Sequence, residues 1–98
     1  MIGNRATDTD DGRPFVQFLE ARAALALEVL DEYDEALPLA DVADEVAVRE
    51  TGRSLEEIPA TDVLWVYDDL YFEHVPLLER AGLVRYEQEK DTLRIVEP

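Results

Sequence analysis

One histidine, one serine and no cysteine are all that 98 residues offer toward nucleophilic chemistry. A nucleophile with an orienting base would have to be Ser54 with His74, which fall in different elements with no third member to hold the imidazole. Adjacent carboxylates such as Glu56-Glu57 and Asp68-Asp69 point to different sides of a helix, so neither makes an acid–base pair. There is no glycine-rich phosphate loop. The run Asp8-Thr9-Asp10-Asp11-Gly12 has the start of a calcium loop but is one residue short and lacks the closing glutamate. The expectation is therefore no enzyme, no metal and no cofactor; without cysteine, disulfides and thiolate metal sites are excluded.

What remains is binding. Arg80, Arg85, Lys90 and Arg94 cluster near the C-terminus and are the candidate DNA contacts, because guanidinium and ammonium groups are what phosphate attracts. Against them, Thr61 to Ala81 holds five acids and Arg80 as its single base, a surface that phosphate repels in dilute buffer. Trp65 and Phe72 stand among those acids. Large aromatics suit the centre of a protein interface, and cover for the linker or the first helix explains them equally well. His74, on a face shared with Leu70 and Leu77, is expected to be a hydrogen-bonded residue near the core.

The charge is extreme for this length. Net charge is -15, with Lys90 the single lysine against eight arginines, and the acids occur in every segment instead of one tail. Such a surface is associated with salt-loving archaea. At molar salt the Debye length falls to about 3 Å and carboxylates repel weakly, whereas in low salt self-repulsion destabilises the fold. No apolar run approaches a membrane span, and Met1 to Asp8 lacks the apolar core of a signal peptide, so a cytoplasmic protein is expected.

These residues need elements to position them. Residues 1–14 read as a flexible acidic arm and 15–98 as one domain. Phe15 to about Tyr33 is helical, with Val16, Leu19, Ala23, Ala26 or Leu27, and Leu30 on one stripe and Phe15, Phe18, Leu25 and Val29 on another, interrupted by Arg22. That wide band is explained either by a core that wraps the helix or by a homodimer through Phe15, Phe18, Leu25 and Val29. Pro38 precedes a second helix carrying Leu39, Val42, Ala43, Val46 and Ala47, stopped at Thr51-Gly52. A linker of about ten residues follows, longer than a plain helix-turn-helix spends; in it Ser54 and Glu57 form a capping box that starts a short turn, with Leu55 and Ile58 as tethers.

Thr61 then caps a third helix with Val63, Tyr67, Leu70, His74, Leu77 and Ala81 on one face. Pro76 should bend it, because an amide that would bond back near Phe72 is missing. Gly82 ends it in a left-handed conformation. Leu83 to Glu87 and Leu93 to Val96 alternate around the turn Gln88-Glu89-Lys90-Asp91, the pattern of a β-hairpin. Arg85 and Arg94 could share one side of this ribbon, free for phosphate or paired across strands with Glu87 or Asp91.

A long helix ending in Leu77-Leu78-Glu79-Arg80-Ala81-Gly82-Leu83-Val84 that runs into a hairpin resembles the recognition helix and wing of winged helix-turn-helix proteins. Leu39 to Glu50, the Ile58-Pro59-Ala60-Thr61-Asp62-Val63 insert and the Leu70, Tyr71, His74, Pro76, Leu78 set together resemble a haloarchaeal winged-helix-like domain of unknown function, over about Leu19 to Ile95. The resemblance implies an α+β fold: three main helices, an extended linker between helices 2 and 3, and a C-terminal β-hairpin wing. It also implies a DNA-binding transcriptional regulator; the alternative is a winged-helix module that binds a protein partner.

Overall fold

The structure, a computed structural model, describes residues 13–96, with side chains from residue 21 onward. Residues 1–12 of the expected acidic arm, and the side chains of Phe15 and Phe18, lie outside the described residues. In chain order come α1 (Arg13–Tyr33), β1 (Leu37–Pro38), α2 (Leu39–Thr51), α3 (Ala60–Asp69), α4 (Val75–Arg80), β2 (Val84–Glu87) and β3 (Thr92–Ile95). A five-residue π turn, Leu70–His74, joins α3 to α4 as one long helix. Three helices thus pack with a small antiparallel sheet of order β1-β3-β2, an α+β fold compatible with a winged helix-turn-helix.

The core forms where the three helices meet the sheet. Ala26, Val29 and Leu30 of α1 bury against Leu39, Val42, Ala43, Val46 and Ala47 of α2, the five positions that the period of α2 marks as apolar. The broad stripe of α1 is consumed inside this core over Ala26–Leu30: Val29 is fully buried, which removes it as a partner contact, and Leu25 is half-buried against the cluster. Arg22 and Arg49 fasten α1 to α2 from outside. Arg22 takes both oxygens of Glu50 at 2.6 and 2.7 Å, and Arg49 reaches Glu32 at 2.8 Å.

Helix ends follow local chemistry. Pro38 stands at the N-cap of α2, and Gly52 closes it at φ 71°, its amide bonded to the Val48 carbonyl at 2.9 Å. The capping box at Ser54 and Glu57 is present, with Ser54 N–H donating to Glu57 Oε1 at 3.1 Å, and starts a single 3₁₀ turn over Leu55–Glu57. Ile58 tethers this turn to the core, but Leu55 remains exposed. Thr61 is not the cap of α3. Pro59 takes that place, its carbonyl accepting the amides of Asp62 and Val63, so Thr61 lies inside the first turn.

The π turn alters the face of the long helix. Val75 donates to the Leu70 carbonyl, five residues back, just before Pro76, which has no amide to give. One extra residue in the turn rotates everything after it by about 100°. Val66, Leu70, His74, Val75 and Leu78 are therefore buried, while Leu77, expected on the buried face, is 48% exposed and Ala81 is exposed too. Pro76 follows directly on the turn that re-aims the last stretch of the helix.

The hairpin has the expected strands, with Val84 opposite Ile95, Arg85 opposite Arg94, Tyr86 opposite Leu93 and Glu87 opposite Thr92. Its inner face packs Val84 and Leu93 into the core. Beyond the sequence pattern, β1 adds a two-residue third strand in which Leu37 pairs with Leu93.

Candidate functional site

Arg85 and Arg94 lie directly across from one another on the solvent face of β2 and β3. Opposed like charges destabilise a strand pair. Neither guanidinium has an ion-pair partner among the described residues, so the cross-strand pairing with Glu87 or Asp91 that would have neutralised them does not form. Both border one shallow hollow of about 260 Å³ with Ile95 and Val96. Lys90, at the hairpin tip, approaches Glu87 at 4.0 Å with its side chain 71% exposed. Arg80 is exposed at the end of α4. The structure thus gathers Arg85 and Arg94 into one patch and leaves Lys90 and Arg80 separate from it.

Asp91 holds the wing to the long helix. It sits in the hairpin turn at φ 55°, a left-handed conformation that aspartate tolerates better than most residues. Its carboxylate accepts from the Tyr67 hydroxyl at 2.7 Å and from the Tyr86 hydroxyl, and its carbonyl accepts the Leu39 amide at the start of α2 at 2.8 Å. Tyr71 stacks parallel to Tyr67, ring centroids 6.3 Å apart, and edge-on to Tyr86 at 5.8 Å. One short turn therefore fastens hairpin, α2 and α3 together.

These contacts carry a pH signature. The hydrogen bond to the Asp91 carboxylate, then burial, pushes the Tyr67 hydroxyl up to about 12, and burial followed by the same carboxylate raises Tyr86 further. A phenol raised in the folded state contributes stability that is complete below its unfolded value of about 10 and is lost as pH rises through the folded value. Absorbance titration near 295 nm should show Tyr67 and Tyr86 ionising above the ordinary phenol value of about 10, with stability declining from about pH 10 upward. Ionisation of every tyrosine together near pH 10 would contradict the geometry.

At the other end of the π turn, His74 is 2% exposed and its Nε2 lies 3.0 Å from Asp69 Oδ2, which also accepts Arg22 Nη1 at 2.9 Å. The sole histidine is a hydrogen-bonded core residue, as its position on the helix suggests. Ser54 is engaged in its capping box with Glu57. Among the described residues no group of three or more His, Asp or Glu is placed to hold a metal ion. No helix there is long and apolar enough to cross a membrane.

The outer face of α3 is the other distinctive surface. Trp65 is 73% and Phe72 67% exposed, and Trp65 borders a hollow with Arg22 of α1 and Ile58 of the linker. Leu64, Trp65, Asp68 and Phe72 recur at helical spacing along this face.

The chain matches a family description, the domain of unknown function DUF7344, over residues 18–94, which takes in most of α1, the other helices and the hairpin as far as Arg94. It belongs to that family. No curated protein and no solved structure matches it significantly. The Arg22 clamp, the Asp91 contacts and the Arg85–Arg94 pair of this DUF7344 domain all fall within the matched span.

Sequence reasoning placed the arginine pair, but not the Asp91 hub. The signal for the hub was available only as a tyrosine in each of two elements flanking one turn aspartate.

Proposed function

We propose that this DUF7344 domain is a winged-helix transcriptional regulator of a halophilic archaeon that contacts double-stranded DNA through its wing. The observation that carries the reading is the Arg85–Arg94 pair. In a chain of 24 acids and nine bases, two adjacent guanidinium groups without a described carboxylate partner are a surface suited to an external anion. Backbone phosphates fit it, since phosphate contacts position a protein without reading sequence. Arg80 and Lys90 flank the pair as weaker contacts. The exposed face of α3, acidic and aromatic, is poorly suited to base edges in the major groove. DNA engagement is therefore wing-led.

Two arginines neutralise two phosphates at most, so a single domain binds weakly and its affinity falls little with added salt. A homodimer in the cytoplasm would double the contacts and fix their spacing. A second reading, a winged-helix module for protein contact, is supported by the exposure of Trp65 and Phe72.

The test is fluorescence anisotropy on labelled promoter fragments in molar potassium chloride, with wild type and an Arg85→Ala/Arg94→Ala double variant. The variant should bind about tenfold more weakly across all fragments, as loss of phosphate contacts does. Its melting temperature should hold or rise, because the substitution also removes a like-charge opposition. Equal binding by both proteins, or none by the folded wild type, would overturn the proposal.

A further inference from the structure

Between α2 and α3, beside the hairpin turn, runs an open groove of about 430 Å³. It is lined by Ala40 and Ala43 from α2 and by Ala60, Val63, Leu64 and Tyr67 from α3. Leu64 is 57% exposed on its edge. The surface lining it is mainly apolar, and alanines at the crossing leave room where larger side chains would fill the gap.

The charge around the groove has one sign. Asp44 and Asp91 line it and no basic residue does. Asp41 stands beside Asp44 on α2, and Asp68 lies one turn beyond Leu64 on α3, whereas Asp62 lines the hollow on the other side of that helix with Trp65 and Val66. Among the described residues, Asp41, Asp44, Asp62 and Asp68 have no cationic partner. Burial, then the nearby Asp41 and Glu45 charges, holds the Asp44 carboxyl above its ordinary range, so a cation arriving there relieves repulsion already present in the fold.

We infer that the groove between α2 and α3 is a docking site for a cationic amphipathic helix of a partner protein, its apolar stripe laid over Ala43 and Leu64 and its lysines or arginines facing Asp41, Asp44 and Asp68. Charge decides among occupants. A second copy of this chain, at net charge -15, brings further carboxylates to an acidic rim, and nucleic acid brings phosphates; both are repelled. An apolar helix without bases would leave the rim unanswered. Helix-in-groove recognition needs only anchors spaced at three and four residues. The site is separate from the Arg85–Arg94 face and does not depend on DNA being bound there.

The probe is a synthetic amphipathic peptide with a leucine stripe flanked by lysines, titrated into the full chain at salt concentrations where circular dichroism shows the fold intact. Its controls are a scrambled peptide of the same composition and a peptide with glutamate in place of lysine. Isothermal titration should show binding of the first peptide alone. Leu64→Ser, on the exposed edge and therefore compatible with folding, should weaken it about tenfold, since a lost leucine anchor is worth that much or more. Asp41→Asn with Asp44→Asn should weaken it while leaving the melting temperature unchanged or higher. The inference falls if the scrambled or glutamate peptide binds equally, if Leu64→Ser binds as wild type does, or if sedimentation shows the groove occupied by self-association that Leu64→Ser abolishes. DNA binding by the wing is read in a different assay with different variants, so failure of one leaves the other standing.

Discussion

Asp91→Ala is expected to lower the unfolding free energy by about 3 kcal/mol, a large loss for one residue of a hairpin turn. Two effects add. The carboxylate accepts from both Tyr67 and Tyr86, and hydrogen bonds to a charged group each contribute about 1–2 kcal/mol after allowance for partial exposure. The backbone there has φ 55°, and alanine in that left-handed region costs about 1 kcal/mol more.

Three variants separate these effects. Asp91→Asn keeps the backbone preference and one acceptor, so it should lose about 1 kcal/mol. Asp91→Gly keeps only the backbone freedom and should lose about 2 kcal/mol. Urea unfolding in high salt reads the differences as shifts in midpoint at constant slope. If glycine costs nothing, the tyrosine bonds contribute nothing to stability; if alanine and glycine cost the same, the left-handed backbone is not the issue. The Leu39 amide bonds to the Asp91 carbonyl in all three, so none removes the link to α2. A wing loosened in this way should also carry its arginines out of register with α3.

What could be read in advance divides by the range of the interactions involved. α2 was legible in full: Leu39, Val42, Ala43, Val46 and Ala47 are all buried, because a helix period is set by neighbours three and four residues away. The capping box and the glycine stops at Gly52 and Gly82 are also local and are all present. On the long helix Leu70 and His74 were legible as buried, but the Pro59 cap and the buried Val66 were not. Beyond His74, the choice between Leu77 and Leu78 turns on whether the chain meets Pro76 with a bend or with an expanded turn, and both satisfy the missing amide. Packing of Val75 and Leu78 into the core selects the second.

The wing shows the same division. Alternation gave the strands and put Arg85 and Arg94 on one side, yet whether Asp91 would pair with them or with tyrosines was a tertiary question. Tyr67 lies 24 residues from Asp91, and no local pattern connects them. β1 is two residues long, too short for any alternation to register, and exists because Leu37 meets Leu93. Arg22 looked like an interruption of an apolar band and proves to be the clamp that joins Glu50 to Asp69.

The largest expected effect of all is that of salt. With net charge -15, and with described ion pairs confined mainly to Arg22 and Arg49, most carboxylates repel one another without compensation. In dilute buffer the Debye length is about 30 Å at 0.01 M, so repulsion acts across the domain; at molar salt it is about 3 Å. Relief of about 3 kcal/mol would raise the melting temperature of a domain this size by roughly 20 °C. The Arg22 and Arg49 pairs weaken over the same range, but they are few. Scanning calorimetry from dilute to molar potassium chloride should therefore show a steep rise, and a flat response would end the halophilic reading. Sucrose, which strengthens apolar burial without screening charge, should not reproduce the slope at low ionic strength. Mild acid should act in the direction of salt: the folded Asp44 carboxyl sits above its ordinary range, so the fold binds that proton more tightly than the unfolded chain and gains stability as pH falls through the window above the ordinary carboxylate value. Asp41→Asn with Asp44→Asn should then raise the low-salt melting temperature and flatten its dependence on both salt and pH, because the repulsion those agents relieve has been removed in advance.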